Sequence, residues 1–517
     1  MTVFWHSTAI RYNLLLKFFM GLALALALPP VSQVWLIFFS LSIVVIVDSA
    51  APSRRFRQGF WGGFAFGLGY FSFALHWIGF AFLVDARADL WMMPFAVGGL
   101  AAFFAVYWGI AFTGVEWLVA RGFRRWLVLP CLLALMEGLR GYLFTGFPWA
   151  VPGLTADGMG GVLQLASIVG MPGLTLLILL WGILPGAIFL NRNNRYALLF
   201  PFLLSLTLPA AWWWGEARLS DNPIDVNAGA LIRLVQPNIA QSDKWRSDNA
   251  VKVFDDLVSM TSSPGSGTEL PKVVIWPESA VSFLLDENKV ALERIAANLS
   301  TGQTLLTGAL RRQPSASGDR YFTSILGIDS EGKVTSRYDK WRLVPGGEYL
   351  PLAWLLEPMG FRKVVNLPEA FTPGSGPAVS IVPGIGPAIM LICYEAIFPH
   401  NLAPASTRAR WIVNVTNDGW FGHSVGPYQH LAQVRMRAVE QGLPVARAAN
   451  TGISAIIDPM GRFIIETKLE TRQVVDARLP LNLEPTVFSL AGIVPALIIG
   501  LFFILMAHKR LGGDDWK

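Results

Sequence analysis

Eight apolar runs, each long enough to span a bilayer, constrain this chain more than any other feature of it. Seven lie before residue 215, at roughly 12–29, 32–49, 59–82, 90–119, 126–144, 161–190 and 197–214, and the eighth at 487–507. Water cannot solvate runs of that length, so they must form membrane helices or a very large core. Charged residues settle the choice. They make up 15% of the chain, against roughly 25% in soluble domains. The first run lacks a clear small-residue cleavage site and another run follows at once, so it reads as a span and not a signal peptide. Gly98 and Gly99 are expected to interrupt the fourth run, and Pro172 the sixth.

Loop charge orients the bundle, because Lys and Arg favour the cytoplasmic side. With the N-terminus inside, Arg54, Arg55 and Arg57, then Arg121, Arg124 and Arg125, then Arg192 and Arg195, then Lys509 and Arg510 all fall inside. The outer loops near 30–32, 83–89 and 145–160 hold only Arg87. Seven spans then leave the segment after 215 outside the cytoplasm. The frame expected is 1–215 as a seven-span bundle, 216–486 as an extracytoplasmic catalytic domain, and 487–517 as a closing span with a cytoplasmic tail.

The net charge of +6 is dispersed, with no basic stripe interleaved with aromatics, so nucleic acid is not an expected partner. Within the spans, Glu137 and Arg140 share a helix face. They are either a contact for a lipid headgroup or an ion pair that satisfies itself. His76 reads as packed or interfacial. Two cysteines cannot build a disulfide framework. Cys131 sits in an apolar run and reads as a small core residue.

From 216 to 486 the texture changes to short strands, turns and helices, the pattern of a layered α/β domain. Expected strands are Leu231–Gln236, Lys272–Trp276, Thr304–Ala309, Phe322–Asp329, Ala388–Cys393, Trp411–Asn414, Ile453–Asp458 and Arg462–Glu466. Expected helices are Asp248–Ser262, Asn288–Leu299 and Tyr428–Gln441. Three motifs lie at or near strand ends, where open α/β sheets hold reactive groups. Trp276-Pro-Glu-Ser279 presents Glu278, Tyr338-Asp-Lys-Trp341 presents Lys340, and Ile392-Cys-Tyr-Glu395 presents Cys393. Taken singly, these read equally as a loop carboxylate, a surface charge and a core thiol. Together they offer a nucleophile, a base and a cation. A thiol needs a neighbouring base or positive charge to attack, and a lysine can hold a tetrahedral oxyanion. His400, His423 and His430 show no spacing for metal ligands, so neither metal nor cofactor is expected.

At these residues the sequence resembles the carbon–nitrogen hydrolase (nitrilase) superfamily, whose Glu, Lys and Cys follow in this order. The membrane frame narrows the resemblance to the apolipoprotein N-acyltransferase family, the membrane branch of that superfamily, over essentially the whole chain. Phe144–Trp149, Val235–Asn238 through Trp245, Leu343–Pro345 with Glu348, and Asn417–Gly422 are similar too. Gly346 departs, standing where the family usually has Phe.

The resemblance implies a polytopic α-helical bundle of about eight spans plus an α/β nitrilase-like four-layer αββα sandwich. It implies catalysis by Glu278, Lys340 and Cys393, support from Glu348, Tyr394 and Glu395, and substrate contacts from Trp245, Trp420 and Phe421. The implied reaction is ping-pong. An acyl chain passes from a phospholipid, expected to be phosphatidylethanolamine, through a Cys thioester to the α-amine of a diacylglyceryl-cysteine on an apolipoprotein. The setting expected is a bacterial inner membrane with a periplasmic catalytic domain, and the protein a monomer. The apolar segment Tyr349–Leu356 is expected to dip towards the bilayer as a mobile arm, the alternative being a packed edge. Two competing functions are a membrane-anchored amidase acting on small C–N substrates, and a transporter or scaffold with a dead domain. The absence of internal repeats argues against a transporter.

Overall fold

The computed structural model describes residues 2–50, 56–118, 124–225, 228–244, 246, 248–265, 267–316, 318–361, 371–402 and 408–508. Trp245, Arg54, Arg55, Arg121, Lys509 and Arg510 lie outside these residues. Each of the eight apolar runs is helical over most of its length. Three helices, Ala86–Leu118, Gly160–Leu190 and Arg195–Asp221, are long and apolar enough to cross a membrane. A fourth joins them if Phe56–Ala74 and His76–Leu83, bent by 44°, count as one span. The sixth run kinks at Gly170, two residues before Pro172, as the missing proline N–H requires. The fourth run is not interrupted at Gly98 and Gly99: one helix, Met93–Leu118, passes through both. A glycine costs a helix only about 1 kcal/mol, which a long apolar helix absorbs.

The chain divides into two compact units: Met1–His76 with Pro94–Asp221 and Ala491–Lys517, and Trp77–Met93 with Asn222–Leu490. The first is helical. In it, Glu137 and Arg140 pair within their own helix, so the pair satisfies itself. The Trp108 indole donates to Glu137 Oε1 at 2.7 Å, and the Arg140 guanidinium donates to the Phe147 carbonyl and lies 5.1 Å from both the Phe71 and Phe104 ring centres. Cys131 is buried and donates to Leu127 O.

The second unit carries twelve strands among the described residues. In chain order they are β1 Leu231–Gln236, β2 Val273–Ile275, β3 Thr304–Gln313, β4 Arg320–Asp329, β5 Val334–Asp339, β6 Val379–Val382, β7 Gly386–Ile392, β8 Trp411–Thr416, β9 Val445–Ala449, β10 Ala455–Ile457, β11 Phe463–Glu466 and β12 Gln473–Arg478. They form two six-stranded sheets, ordered β12-β1-β2-β3-β4-β5 and β11-β10-β9-β8-β7-β6. Strand side chains alternate between faces, and both faces are used. Ile232, Leu234, Val273 and Ile275 pack inward with Met390, Ile392, Val413 and Ala446 of the opposite sheet. The residues between them, such as Val235 and Val274, pack outward on the helices Ala250–Thr261 and Lys289–Ala296. Ile389, Leu391 and Ile412 do the same on the helix Gly426–Gln441. The result is an α/β sandwich in four layers, two sheets inside and helices outside. Its central strands β1, β2, β7 and β8 run parallel to a neighbour, so their C-terminal ends open on a common edge.

Candidate active site

Glu278 arrives on the end of β2. Val273, Val274 and Ile275 are fully buried, and the Trp276 indole donates to Thr261 Oγ1 at 2.8 Å, fixing the exit. The turn closes on β3, where Gly308 N donates to Pro277 O and Ala280 N to Gly308 O. A Cβ at Gly308 would stand 2.5 Å from Glu278 Cα and 2.5 Å from Pro277 O, both of them backbone atoms. Gly308→Ala must therefore displace Glu278. Misplacement of a reacting group by about 1 Å can cost about 10²-fold, so we expect a loss of that order in acyl-transfer rate with little change in far-UV circular dichroism. A rate within a factor of two of the unmodified protein would show that the turn tolerates the shift.

Lys340 follows β5 and is 1% exposed. Its Nζ donates to Glu278 Oε1 at 3.1 Å and to Glu348 Oε1 at 2.8 Å. Burial works to lower the ammonium, but the two carboxylates reverse this and hold it well above its usual range. Glu348 is raised by burial, against the pull of Lys340, and its Oε2 accepts from Val344 N at 2.8 Å. Glu278 Oε2 accepts from Asn417 N at 2.9 Å.

Cys393 caps β7 as a strained elbow, with φ 47° in the left-handed region. β7 ends at Ile392, so the thiol stands just beyond the strand and not, as the pattern Ala388–Cys393 predicts, within it. Burial pushes the thiol up and Glu278 adds to this, while Lys340 pulls it down. Such a thiol stays protonated at rest and needs a base. Glu395 ties the Cys and Lys loops together. Its carboxylate accepts from Ile392 N and Trp341 N at 2.8 Å each and from the Tyr338 hydroxyl at 2.9 Å. Burial raises it to about 7, against those donors. Tyr394 is buried with its ring edge-on to Phe398.

Of the other sequence candidates, Phe421 packs 4.5 Å from the Trp77 ring and 5.9 Å from His430. Trp420 is partly exposed beside it. Trp245 lies outside the described residues. Gly346 takes φ 77°, a conformation a bulky Phe adopts only under strain.

Sequence reasoning gave no role to a charged cluster behind the thiol. His430 Nδ1 lies 2.9 Å from Asp418 Oδ1, and His430 Nε2 lies 3.1 Å from Cys393 O. Arg447 donates to Asp418 Oδ2 at 2.6 Å. Against burial, Arg447 and His430 hold Asp418 down to about 2. Burial and Arg447 lower His430. Cys393, Asp418 and His430 offer ligand atoms within 4.8 Å of one another. Asp418 is already engaged by Arg447, His430 and Thr416, so a metal ion there would have to displace a guanidinium. The Asn417–Gly422 motif pointed at one wall of this cluster, but nothing local links it to Arg447.

The family model described as carbon-nitrogen hydrolase matches residues 231–484, the stretch that builds this sandwich. A second model, the apolipoprotein N-acyltransferase N-terminal domain, matches residues 20–184. Whole-length relatives called apolipoprotein N-acyltransferase include one from Rhodopseudomonas palustris, 37% identical over 96% of this chain and 95% of its own. Those of Bradyrhizobium diazoefficiens and Brucella suis are 39% and 38% identical, over 95% and 91% of this chain and 93% and 90% of theirs. Saccharomyces cerevisiae Nit3, of the nitrilase superfamily, aligns in structure over 49% of this chain and 91% of its own, at 16% identity and a TM-score of 0.37. The chain belongs to the apolipoprotein N-acyltransferase family.

Proposed function

We propose that this membrane enzyme moves an acyl chain from a phospholipid, through a thioester on Cys393, to the α-amine of a diacylglyceryl-cysteine at the N-terminus of an apolipoprotein. The observation that carries the residue roles is the Lys340 ammonium, buried between Glu278 and Glu348 and electrostatically coupled to Cys393. In the first half-reaction Glu278 takes the thiol proton as sulfur attacks the ester carbonyl. Lys340 stabilises the oxyanion. The C–O bond breaks, Glu278 returns the proton to the departing oxygen, and a lysophospholipid leaves. In the second, the neutral amine attacks the thioester, Glu278 takes its proton and passes it to the departing sulfur, and the amide product leaves a free thiol.

Glu348 holds Lys340 in place, Glu395 holds the Cys and Lys loops together, and Tyr394 supports the Cys393 turn by packing on Phe398. Trp245, Trp420 and Phe421 bind the lipid substrates, and phosphatidylethanolamine is the donor. Residues 1–215 form seven spans with the N-terminus in the cytoplasm, 216–486 stand in the periplasm as the catalytic domain, and 487–517 supply the closing eighth span and a cytoplasmic tail. The protein acts as a monomer. Tyr349–Leu356 dips towards the bilayer as an arm over the site. Its support is an unusually apolar surface, with Leu352 60% and Trp354 76% exposed. Both substrates carry long acyl chains and reside in the bilayer, so a tethered thiol meets them there and water reaches the thioester less. A small-amide hydrolase gains nothing from the apolar helices.

Purified protein given phosphatidylethanolamine vesicles and a synthetic diacylglyceryl-cysteine peptide should yield the triacylated peptide. Ammonia release from small amides, with no acylated peptide, would instead establish the amidase.

A further inference from the structure

Lys244 is a second buried ammonium at this site, and the reaction just described gives it no task. It ends the short helix Gln241–Lys244 and is 1% exposed. Its Nζ donates to the main-chain carbonyl of Glu278 at 3.0 Å. Among the described residues no carboxylate oxygen pairs with it. Burying an ammonium without a partner is expensive, so such a charge persists only where it offsets something. The charges it feels are those of Glu278 and Cys393. Burial lowers it to about 8, which still leaves it mostly protonated at neutral pH. On the same helix Gln241 accepts from Asn417 Nδ2 at 2.8 Å, and Asn417 N in turn holds the Glu278 carboxylate. The helix therefore grips Glu278 at its main chain and, through Asn417, at its head.

Glu278 and Glu348 bring two negative charges and Lys340 one positive. That cluster is net negative, the wrong sign for making a thiolate beside it. Lys244 offsets that excess, while Asp418, the other carboxylate that acts on Cys393, is paired with Arg447. We propose that Lys244 is a positioning residue that fixes the Glu278 turn and neutralises the buried carboxylate cluster, so that Cys393 can pass its proton to Glu278. The proton moves from sulfur to a Glu278 oxygen, and Lys244 neither gains nor loses one. This rests on the roles given above to Cys393 and Glu278. Cys393 also faces Lys340 and Asp418 by charge, Thr416 by hydrogen bond and His430 through its carbonyl. Glu348 acts through Lys340, and Glu395 through Ile392 N and Trp341 N. All of these remain in a Lys244 variant, so the difference between two pH profiles isolates Lys244.

The test uses the full chain in detergent micelles, with Cys131→Ala so that Cys393 is the only thiol. Its alkylation rate by iodoacetamide is followed with pH, beside the rate of acyl-adduct formation from phosphatidylethanolamine. Methionine matches the shape of lysine, and glutamine keeps a donor for Glu278 O. In Lys244→Met and Lys244→Gln we expect alkylation at pH 7 to slow about tenfold, as one unit in the thiol's ionisation constant gives, the difference to shrink above pH 8 as Lys244 itself loses its proton, and the adduct to form about tenfold more slowly at pH 7. Lys244→Arg should keep the pH 7 alkylation rate near that of the unmodified protein. If methionine prevents folding, the glutamine variant carries the test. An alkylation rate at pH 7 that is unchanged in the glutamine variant overturns the charge role, whatever the adduct rate does. If alkylation slows in the variants but the unmodified protein takes up no acyl group, it is the acyl-transfer reading that fails, and the inference about the thiolate stands.

Discussion

Glu278→Gln should slow acyl-thioester formation on Cys393 by about 10³-fold, inside the range that general-base catalysis supplies. The substitution is nearly isosteric. Its carbonyl oxygen can still accept from Asn417 N, which now binds Glu278 Oε2 at 2.9 Å, so the turn on Gly308 keeps its shape. What is lost is a basic oxygen. Burial holds the Cys393 thiol high, so the sulfur cannot ionise by itself at neutral pH. Stopped-time mass spectrometry of the adduct, with phosphatidylethanolamine in excess, measures the effect. A rate within a factor of ten of the unmodified enzyme would remove Glu278 from the role of base.

Lys340→Met should be nearly as damaging, and for two separable reasons. The oxyanion loses its cation, worth about 10²–10³-fold in similar sites. Two carboxylates, Glu278 and Glu348, also lose the ammonium that now sits 3.1 Å and 2.8 Å from them. Stranding a buried charge costs about 3–5 kcal/mol, so the melting temperature should fall. The loss should depend on pH with a definite sign. Glu348 is already raised above its usual value by burial, and losing Lys340 raises it further. A carboxyl held higher in the folded state than in the unfolded one stabilises the fold most at low pH. That contribution fades as pH rises through the folded value. The deficit of Lys340→Met should therefore shrink on acidification from pH 8 to pH 5.5. A deficit that grew on acidification would mean that Lys340 does not neutralise Glu348.

How far the sequence carried can be judged element by element. β1 falls where its apolar alternation put it, Leu231–Gln236, and the helix expected from Tyr428 begins at Gly426. Strands that pair at an edge or lack apolar density went unnoticed: β5 Val-Thr-Ser-Arg-Tyr-Asp, β6 Val-Ser-Ile-Val and β12 Gln-Val-Val-Asp-Ala-Arg. β9 is fully buried yet reads Val-Ala-Arg-Ala-Ala. A buried arginine and three alanines carry no strand signal, because what permits them is Asp418, a partner 29 residues earlier in the chain. The site divides the same way. Glu278, Lys340 and Cys393 each end or follow a strand and were legible as motifs. His430 sits on a helix whose face only the fold turns towards the Cys393 carbonyl, and Lys244 lies in a polar stretch that looks like solvent-facing loop. Their partners are long-range, and periodicity is blind to them. In the bundle, apolar runs located the helices, but glycine content gave the wrong break, since the fourth run passes straight through Gly98 and Gly99.

The most direct measurement is peptide mapping by mass spectrometry after the full-length protein has met phosphatidylethanolamine. The account predicts one acyl chain on the peptide carrying Cys393, released by hydroxylamine as a thioester is, passed on when a diacylglyceryl-cysteine peptide is added, and missing in Cys393→Ala. An acyl chain that persists in Cys393→Ala, or that stays on Cys393 in the presence of the acceptor, would contradict it.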